Sequence, residues 1–498
     1  MDYRPLFERI SKTDINLIPA YGNFTGSYSC TWWNQCPTAE QLGLTGTGLS
    51  EWRDALNQDS LFETERFYHP IPQELRNGLI FLLDDGWDIP IGTPNDAEHR
   101  HLYGAVDPDP VKFSRFGSDP KERLKGMSDK AKDMGYAGLG LWISPQLKGE
   151  GPETFTDDEE RAYWEERAKW CNYAGVLYWK VDWGTHDYDD NYRKMMTECA
   201  HKFAPDLLVE HAVIQKPCTH QNYSENFASE RPERVKTLMK FSDAYRTYDL
   251  LDPFDKVCTL QRAHEALICN VECSGKGLVN GENMYIINAA LGLTSGIMNY
   301  NKDAENCILW HRIAPPFGIN KCNYSYSEER LEDSLFFETE ICGWAPCIAQ
   351  TVYESAPAIM ARGCPLPKVD ACGDSAPFVI ASKNPITRAY SVATLKRTVD
   401  PNVAIYFPSD VTVDDADLDC PVGIFGVFNK LTINFNGPID IDCRILAQPM
   451  QEKNAYDITE LVTIRSNSLT LDGKLLRYIG KSTRDQYEPA LILRLTQK

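Results

Sequence analysis

The chain has 498 residues, 43% of them hydrophobic and 11% aromatic, with a formal charge of −20. That length exceeds what one core usually serves, so two domains are expected. The acidic surplus excludes a nucleic-acid backbone as partner, and no apolar run of about 18 residues is present to cross a membrane.

Eleven tryptophans and 24 tyrosines exceed what core filling needs and suit flat walls against sugar rings. The 16 cysteines show no short repeating spacing, so neither a zinc site nor a disulfide framework is expected. No metal or other cofactor is called for. The opening MDYRPLFERISK has early acids and no apolar signal segment. A cytoplasmic protein is expected; a secreted or periplasmic one requires a leader trimmed ahead of residue 1. Oligomeric state stays open, a homo-oligomer included.

Up to about residue 345 the chain alternates short apolar runs with amphipathic helices. INLIPAY (15–21) and LIFLLDD (79–85) read as strands. Asp119, Pro120 and Glu122 open a helix that Gly135 stops, and AGLGLWIS (137–144) follows as a strand. Thr156 and Glu159 form a capping box for a helix running into AGVLYWKVD (174–182). YRKMMTECAHKF is helical and leads to DLLVEH (206–211). VKTLMKFSD (235–243), EALICNVEC (265–273) and GLTSGIMN (292–299) complete eight strand candidates. Apolar strands in strand–helix units imply a parallel sheet covered by helices, and eight of them a closed (β/α)8 barrel of the TIM type. The competing open sheet would carry a glycine-rich phosphate turn, and neither G-x-G-x-x-G nor G-x-x-x-x-G-K-[ST] occurs.

Beyond 350, YESAPAIMARGCPLPKVDACGDSAPF reads as a connector. ITRAYSVATLKRT, NVAIYFP, VGIFGVF, KLTINFN, DITELVTIRS and ALILRLTQ then imply an antiparallel β-sandwich. The expected division is a barrel over 1–350 and a sandwich over 351–498.

In a parallel barrel the reacting groups sit at the carboxyl ends of strands. In the strands read above, that rim carries Asp84, Asp85 and Trp87, then Trp142, then Lys180, Asp182 and Trp183, then Glu210, then Asp243. Any one acid at a strand end is unremarkable, whereas five consecutive strands contributing acids, a lysine and indoles are not. Lys180 and Asp182 lie two apart and share a strand face. They form either a plain ion pair or one in which Lys180 keeps Asp182 ionised while reaching a substrate hydroxyl. Two carboxylates flanking a sugar between indole walls are the equipment of glycosidic cleavage. DYDDNYRKMMTE (187–198) matches a calcium loop at several positions, but Tyr192 stands where the turn glycine belongs.

DDGW (84–87), LYWKVDWG (177–184) and KGMSDKAKDMGYAGLGLWISP together resemble the clan of retaining α-galactosidases, both the melibiase-type and the raffinose-synthase-like branches. The resemblance is best over residues 80–250. It implies Asp182 as nucleophile, with Asp84 and Asp85 accepting hydrogen bonds from the O4 and O6 hydroxyls of a galactose-like ring. Lys180 would bind a ring hydroxyl, Trp142 would line the pocket, and Glu210 would lie near O2. Trp87, Trp183 and Trp33 are expected as further sugar contacts; SCTWWNQ (29–35) offers Trp32 or Trp33 as a platform. For the acid/base, FSDAYRTYD (241–249) follows the raffinose-synthase-like spacing, which selects Asp243 with Asp249 in reserve.

The function implied is a retaining exo-acting α-galactosidase-like hydrolase acting on an oligosaccharide or glycoside. The alternatives are a transglycosidase, an α-N-acetylgalactosaminidase, a β-L-arabinopyranosidase, or a non-catalytic carbohydrate-binding barrel.

Overall fold

The computed structural model describes the chain apart from residues 1–9, 23–25, 42, 44–48, 64–68, 150–154, 213–232, 248–254, 270–272, 274, 342–344, 371–375, 398–407, 481–487 and 497–498. Eight parallel strands form a TIM-type barrel: Tyr28–Cys30, Ile80–Leu83, Gly138–Ile143, Val176–Val181, Leu208–Ala212, Ala244–Arg246, Leu278–Asn280 and Gly296–Ile297. The first strand pairs with both the second and the eighth. A bridge between Asn280 and Thr294 brings the seventh to the eighth and closes the ring. Helices between strands pack outside. Pro120–Asp133 starts on an Asp119 cap, and Asp157–Ala174 on the Thr156/Glu159 box. Asp190–Phe203 starts on Asp189, so the calcium-loop match at 187–198 is a helix and its cap.

Tyr28, Ile80, Leu82, Tyr178, Leu208, Ala244 and Leu278 fill the barrel interior, while the alternate strand residues face the helices. The barrel is therefore a packed plug below a polar mouth.

Three expected strands are displaced, each for a local reason. INLIPAY forms no strand; Leu17 and Ile18 are buried there, and the first barrel strand comes later, in the YSC of GSYSCTWW. VKTLMKFSD is helical over 233–239, because Val235, Leu238 and Met239 recur at i, i+3 and i+4 and all three are buried. EALICNVEC begins inside the helix Asp255–Leu267, and the strand lies further along, at Leu278–Asn280. The second of these shifts moves a predicted catalytic residue.

C-terminal to the barrel, a nine-stranded and a five-stranded sheet pack as a β-sandwich. Their shared core includes Val379, Val392, Val411, Ile424, Leu431, Ile433, Leu469 and Leu493. Pairing is mostly antiparallel, with three parallel contacts. The stretch read as a connector contributes the strands Ile359–Arg362 and Lys368–Asp370, whereas NVAIYFP lies outside the described residues save its last. The short strand Ser11–Lys12 also joins the larger sheet. Arg362, 1% exposed, donates from that sheet to the carbonyls of Leu291, Gly292, Phe317 and Gly318 on the barrel side.

Candidate active site

The second strand ends at Leu83, so Asp84 and Asp85 stand at the carboxyl rim. Asp84 points into the mouth, where its Oδ2 lies 2.6 Å from Lys180 Nζ and accepts from Cys30 Sγ at 2.9 Å. Burial pushes the Cys30 thiol well up, and Asp84 adds to the effect, so the thiol is a neutral donor. Asp85 takes a different partner, Arg53 Nη2 at 2.5 Å, and Arg53 also stacks over the Tyr103 ring at 4.6 Å. Gly86 lets the chain make this division. Its φ is +117°, and a Cβ there would meet Arg53 Cβ at 2.6 Å. Lys112, buried beneath, donates to the Gly86 carbonyl at 2.9 Å and the Arg53 carbonyl at 3.1 Å, pinning the turn from below.

Asp182 continues the fourth strand, its amide bonded to the Ile143 carbonyl at 2.9 Å. Its Oδ2 accepts from Trp142 Nε1 at 3.1 Å and from Arg246 Nη2 at 3.0 Å. Arg193 Nη2 holds its backbone carbonyl at 2.6 Å. The expected pairing of Lys180 with Asp182 is thus corrected: Lys180 serves Asp84, and Arg246 from the sixth strand carries the ion pair with Asp182. Arg246 Nη1 reaches Glu282 Oε1 at 3.1 Å, beyond the seventh strand.

Burial sets the electrostatics. Asp84, Asp85, Lys180 and Asp182 are all 5% exposed or less. Burial lifts the Asp85 pKa to about 6 against the pull of Arg53, with Asp84 and Asp182 adding to the rise. Burial and Arg246 oppose the Lys180 charge, yet Asp84, Cys30 and Asp182 hold its pKa above that of a free lysine. Asp85 Oδ1 is buried with no hydrogen-bond partner among the described residues. An unmet carboxylate oxygen beside a guanidinium is suited to a hydroxyl donor arriving from outside.

Other predicted residues stand elsewhere. Glu210 is wholly buried, its oxygens taken by Tyr28 Oη at 3.2 Å, Tyr178 Oη at 2.9 Å and Asn280 Nδ2 at 2.7 Å, so it is the floor beneath the mouth and not a sugar contact. Trp87 is fully buried with its Nε1 on the Trp142 carbonyl, a core residue and not a wall. Trp33 is 56% exposed, whereas Trp32 packs against the barrel interior and edge-on to Trp52. Trp183 is half-buried and lies 5.1 Å from Trp142.

Asp243 is corrected outright. Ala212 pairs with Arg246 and Glu210 with Ala244, while the Asp243 amide bonds to the Val209 carbonyl. Asp243 therefore precedes the sixth strand and sits about 10 Å below Arg246, at the opposite end of the barrel from Asp182. Its Oδ2 accepts from the Val209 amide and from His201 Nε2, both at 2.9 Å, and it is 3% exposed. It cannot share a sugar with Asp182. Asp249 lies outside the described residues.

The groups that the sequence reading left unassigned are Arg246, Arg53, Cys30 and Glu282. Arg246 carried a usable signal: it is a charged residue closing the apolar AY of a strand.

No family model matches the chain, and no curated protein does. Among solved structures, it is similar to a Bacteroides fragilis NCTC 9343 protein described as an α-galactosidase/melibiase, at 11% identity and TM-score 0.36, over 97% of this chain and 80% of that one. It is also similar to a variant of a GH27 β-L-arabinopyranosidase from Geobacillus stearothermophilus, at 8% identity and TM-score 0.36, over 95% and 96% of the two chains. A third is a Bacillus halodurans C-125 protein described as an α-N-acetylgalactosaminidase, at 11% identity and TM-score 0.31, over 70% and 94%.

Proposed function

We propose that the chain is a retaining glycoside hydrolase of α-galactosidase type, removing a terminal α-linked galactose or a closely related sugar. The observation that carries this reading is Asp182 itself. It is a nearly buried carboxylate at a barrel-strand end, its plane set by Trp142 and Arg246, facing a mouth that also holds Asp84, Lys180 and Asp85.

In the first step an Asp182 oxygen bonds to C1 of the sugar, and the C1–O bond to the leaving group breaks as that oxygen takes a proton from the general acid. In the second, the same group, now a base, removes a proton from water. The water oxygen bonds to C1, and Asp182 leaves as carboxylate. Asp84 and Asp85 accept hydrogen bonds from ring hydroxyls, and Lys180 donates one. With Asp243 at the far end, the acid/base role passes to the reserve candidate of the sequence, Asp249, three residues after Arg246 in the chain.

A panel of nitrophenyl α- and β-glycosides, run with and without an acceptor alcohol, tests the reading. Release of nitrophenol from the α-galactoside, abolished in Asp182→Asn with folding retained, is the expected result. Near-normal turnover by that variant overturns it, and transfer to the alcohol in place of hydrolysis would make the enzyme a transglycosidase.

A further inference from the structure

Glu282 stands two residues past the seventh barrel strand, 8% exposed, with φ at +48°. That is the left-handed region, which a glutamate rarely adopts unless its surroundings hold it there. They do so here from both sides. The Glu282 amide donates to Asn280 Oδ1 at 2.9 Å, and Asn288 Nδ2 donates to the Glu282 carbonyl at 2.9 Å. Asn280 is in turn fixed by its own bond to Glu210. This turn brings Glu282 Oε1 to 3.1 Å from Arg246 Nη1.

Arg246 is wholly buried, and its planar fork serves Asp182 with one terminal nitrogen and Glu282 with the other; its Nε lies 3.7 Å from Glu210 Oε1. A guanidinium given entirely to one carboxylate forms a strong bidentate pair and makes that carboxylate a weak base. Shared between two, it still orients Asp182 but withdraws less of its electron density.

We propose that Glu282 is a positioning residue that holds Arg246 between two carboxylates and so keeps Asp182 basic enough to bond to carbon. This rests on the reading of Asp182 as nucleophile. The other charges in its field come from neighbouring elements. Lys180 and Arg193 are cationic, Asp85 and Asp187 anionic, and Asp84 is neutralised by Lys180.

Trp142 supplies a reporter, since its indole N–H donates to Asp182 Oδ2. In protein labelled with 15N-tryptophan, the Trp142 indole signal is the one lost in Trp142→Phe, and its pH dependence follows protonation of Asp182. The transition should vanish in Asp182→Asn. In Glu282→Gln it should move to lower pH by about 0.5–1 unit, as expected when a neighbouring negative charge is removed. Glu282→Gly removes the same charge and relieves the left-handed backbone, so it supplies the measurement should the glutamine variant fail to fold. An unchanged midpoint in either folded variant overturns the proposal. So does a wild-type signal that stays flat down to about pH 3, because Asp182 would then be gripped at full strength. Turnover by Asp182→Asn would sink the nucleophile assignment without touching this titration, so the two failures are distinguishable.

Discussion

Arg246 Nη2 stands 3.0 Å from Asp182 Oδ2, with both side chains almost completely buried. This pair ties the sixth strand to the fourth across the barrel mouth. Removing the guanidinium strands two carboxylates in a low-dielectric site. Arg246→Met is therefore expected to lose about 3–5 kcal/mol of stability, read by urea unfolding. Arg246→Lys keeps the charge but not the fork, so it should fold better while kcat/KM falls by about 10²-fold. A lysine variant with wild-type turnover would show that the bridge to Glu282 has no part in the chemistry.

Asp85 and Arg53 make a second pH-dependent pair. As pH falls through about 6, Asp85 takes up a proton and ceases to be a charged acceptor, so 1/KM should fall on the acid side. Arg53 opposes that protonation, so Arg53→Met should move the acid limb to higher pH. The stability sign is the reverse. The folded carboxyl binds its proton at higher pH than the unfolded one, so its contribution to stability rises as pH falls from about 6 towards about 4. A pH series of KM for both proteins checks the limb, and an unmoved limb in Arg53→Met would remove Asp85 from it.

The fold was largely readable because apolar runs ending in polar residues signal barrel strands wherever their surroundings are simple. IFLL, GLGLWI and VLYWKV all fall within the expected stretches. The reading failed where an apolar segment was short. VKTLMKF has its apolar residues at helical spacing, but seven residues support a strand about as well as two helical turns. That one ambiguity carried Asp243 to the wrong end of the barrel. Pairing between side chains was illegible for a different reason. Lys180 and Asp182 share a strand face, yet each finds its nearest partner on another strand, at Asp84 and Arg246, and only the closed ring brings those together.

The tryptophans separate by burial. Trp87 is 0% exposed with its indole nitrogen bonded, so Trp87→Ala should lose about 3–5 kcal/mol of stability. Trp33 is 56% exposed, and Trp33→Ala should leave both the melting temperature and KM within error. Trp32→Ala should raise KM, since that ring lies against the barrel interior. Thermal melts and KM values for the three variants check this ordering. A large KM effect at Trp33 with none at Trp32 would restore the platform to the exposed ring.

Asp243 and His201 act on stability from the bottom of the barrel. Asp243→Asn weakens the charge-assisted bond to His201 and the acceptor of the Val209 amide. The expected cost is about 1–3 kcal/mol in urea unfolding, with kcat unchanged within about twofold. The hydrogen bond to Asp243 raises the His201 pKa above its ordinary value, burial opposing. A histidine whose folded pKa is raised stabilises the fold fully below its unfolded value of about 6.5 and loses that contribution as pH rises through the folded pKa. The stability difference between wild type and His201→Gln should therefore be greatest below about pH 6.5 and shrink as the pH rises through the raised folded pKa. A difference that grows with pH would mean that His201 is held neutral, and the contact with Asp243 would then be an ordinary hydrogen bond.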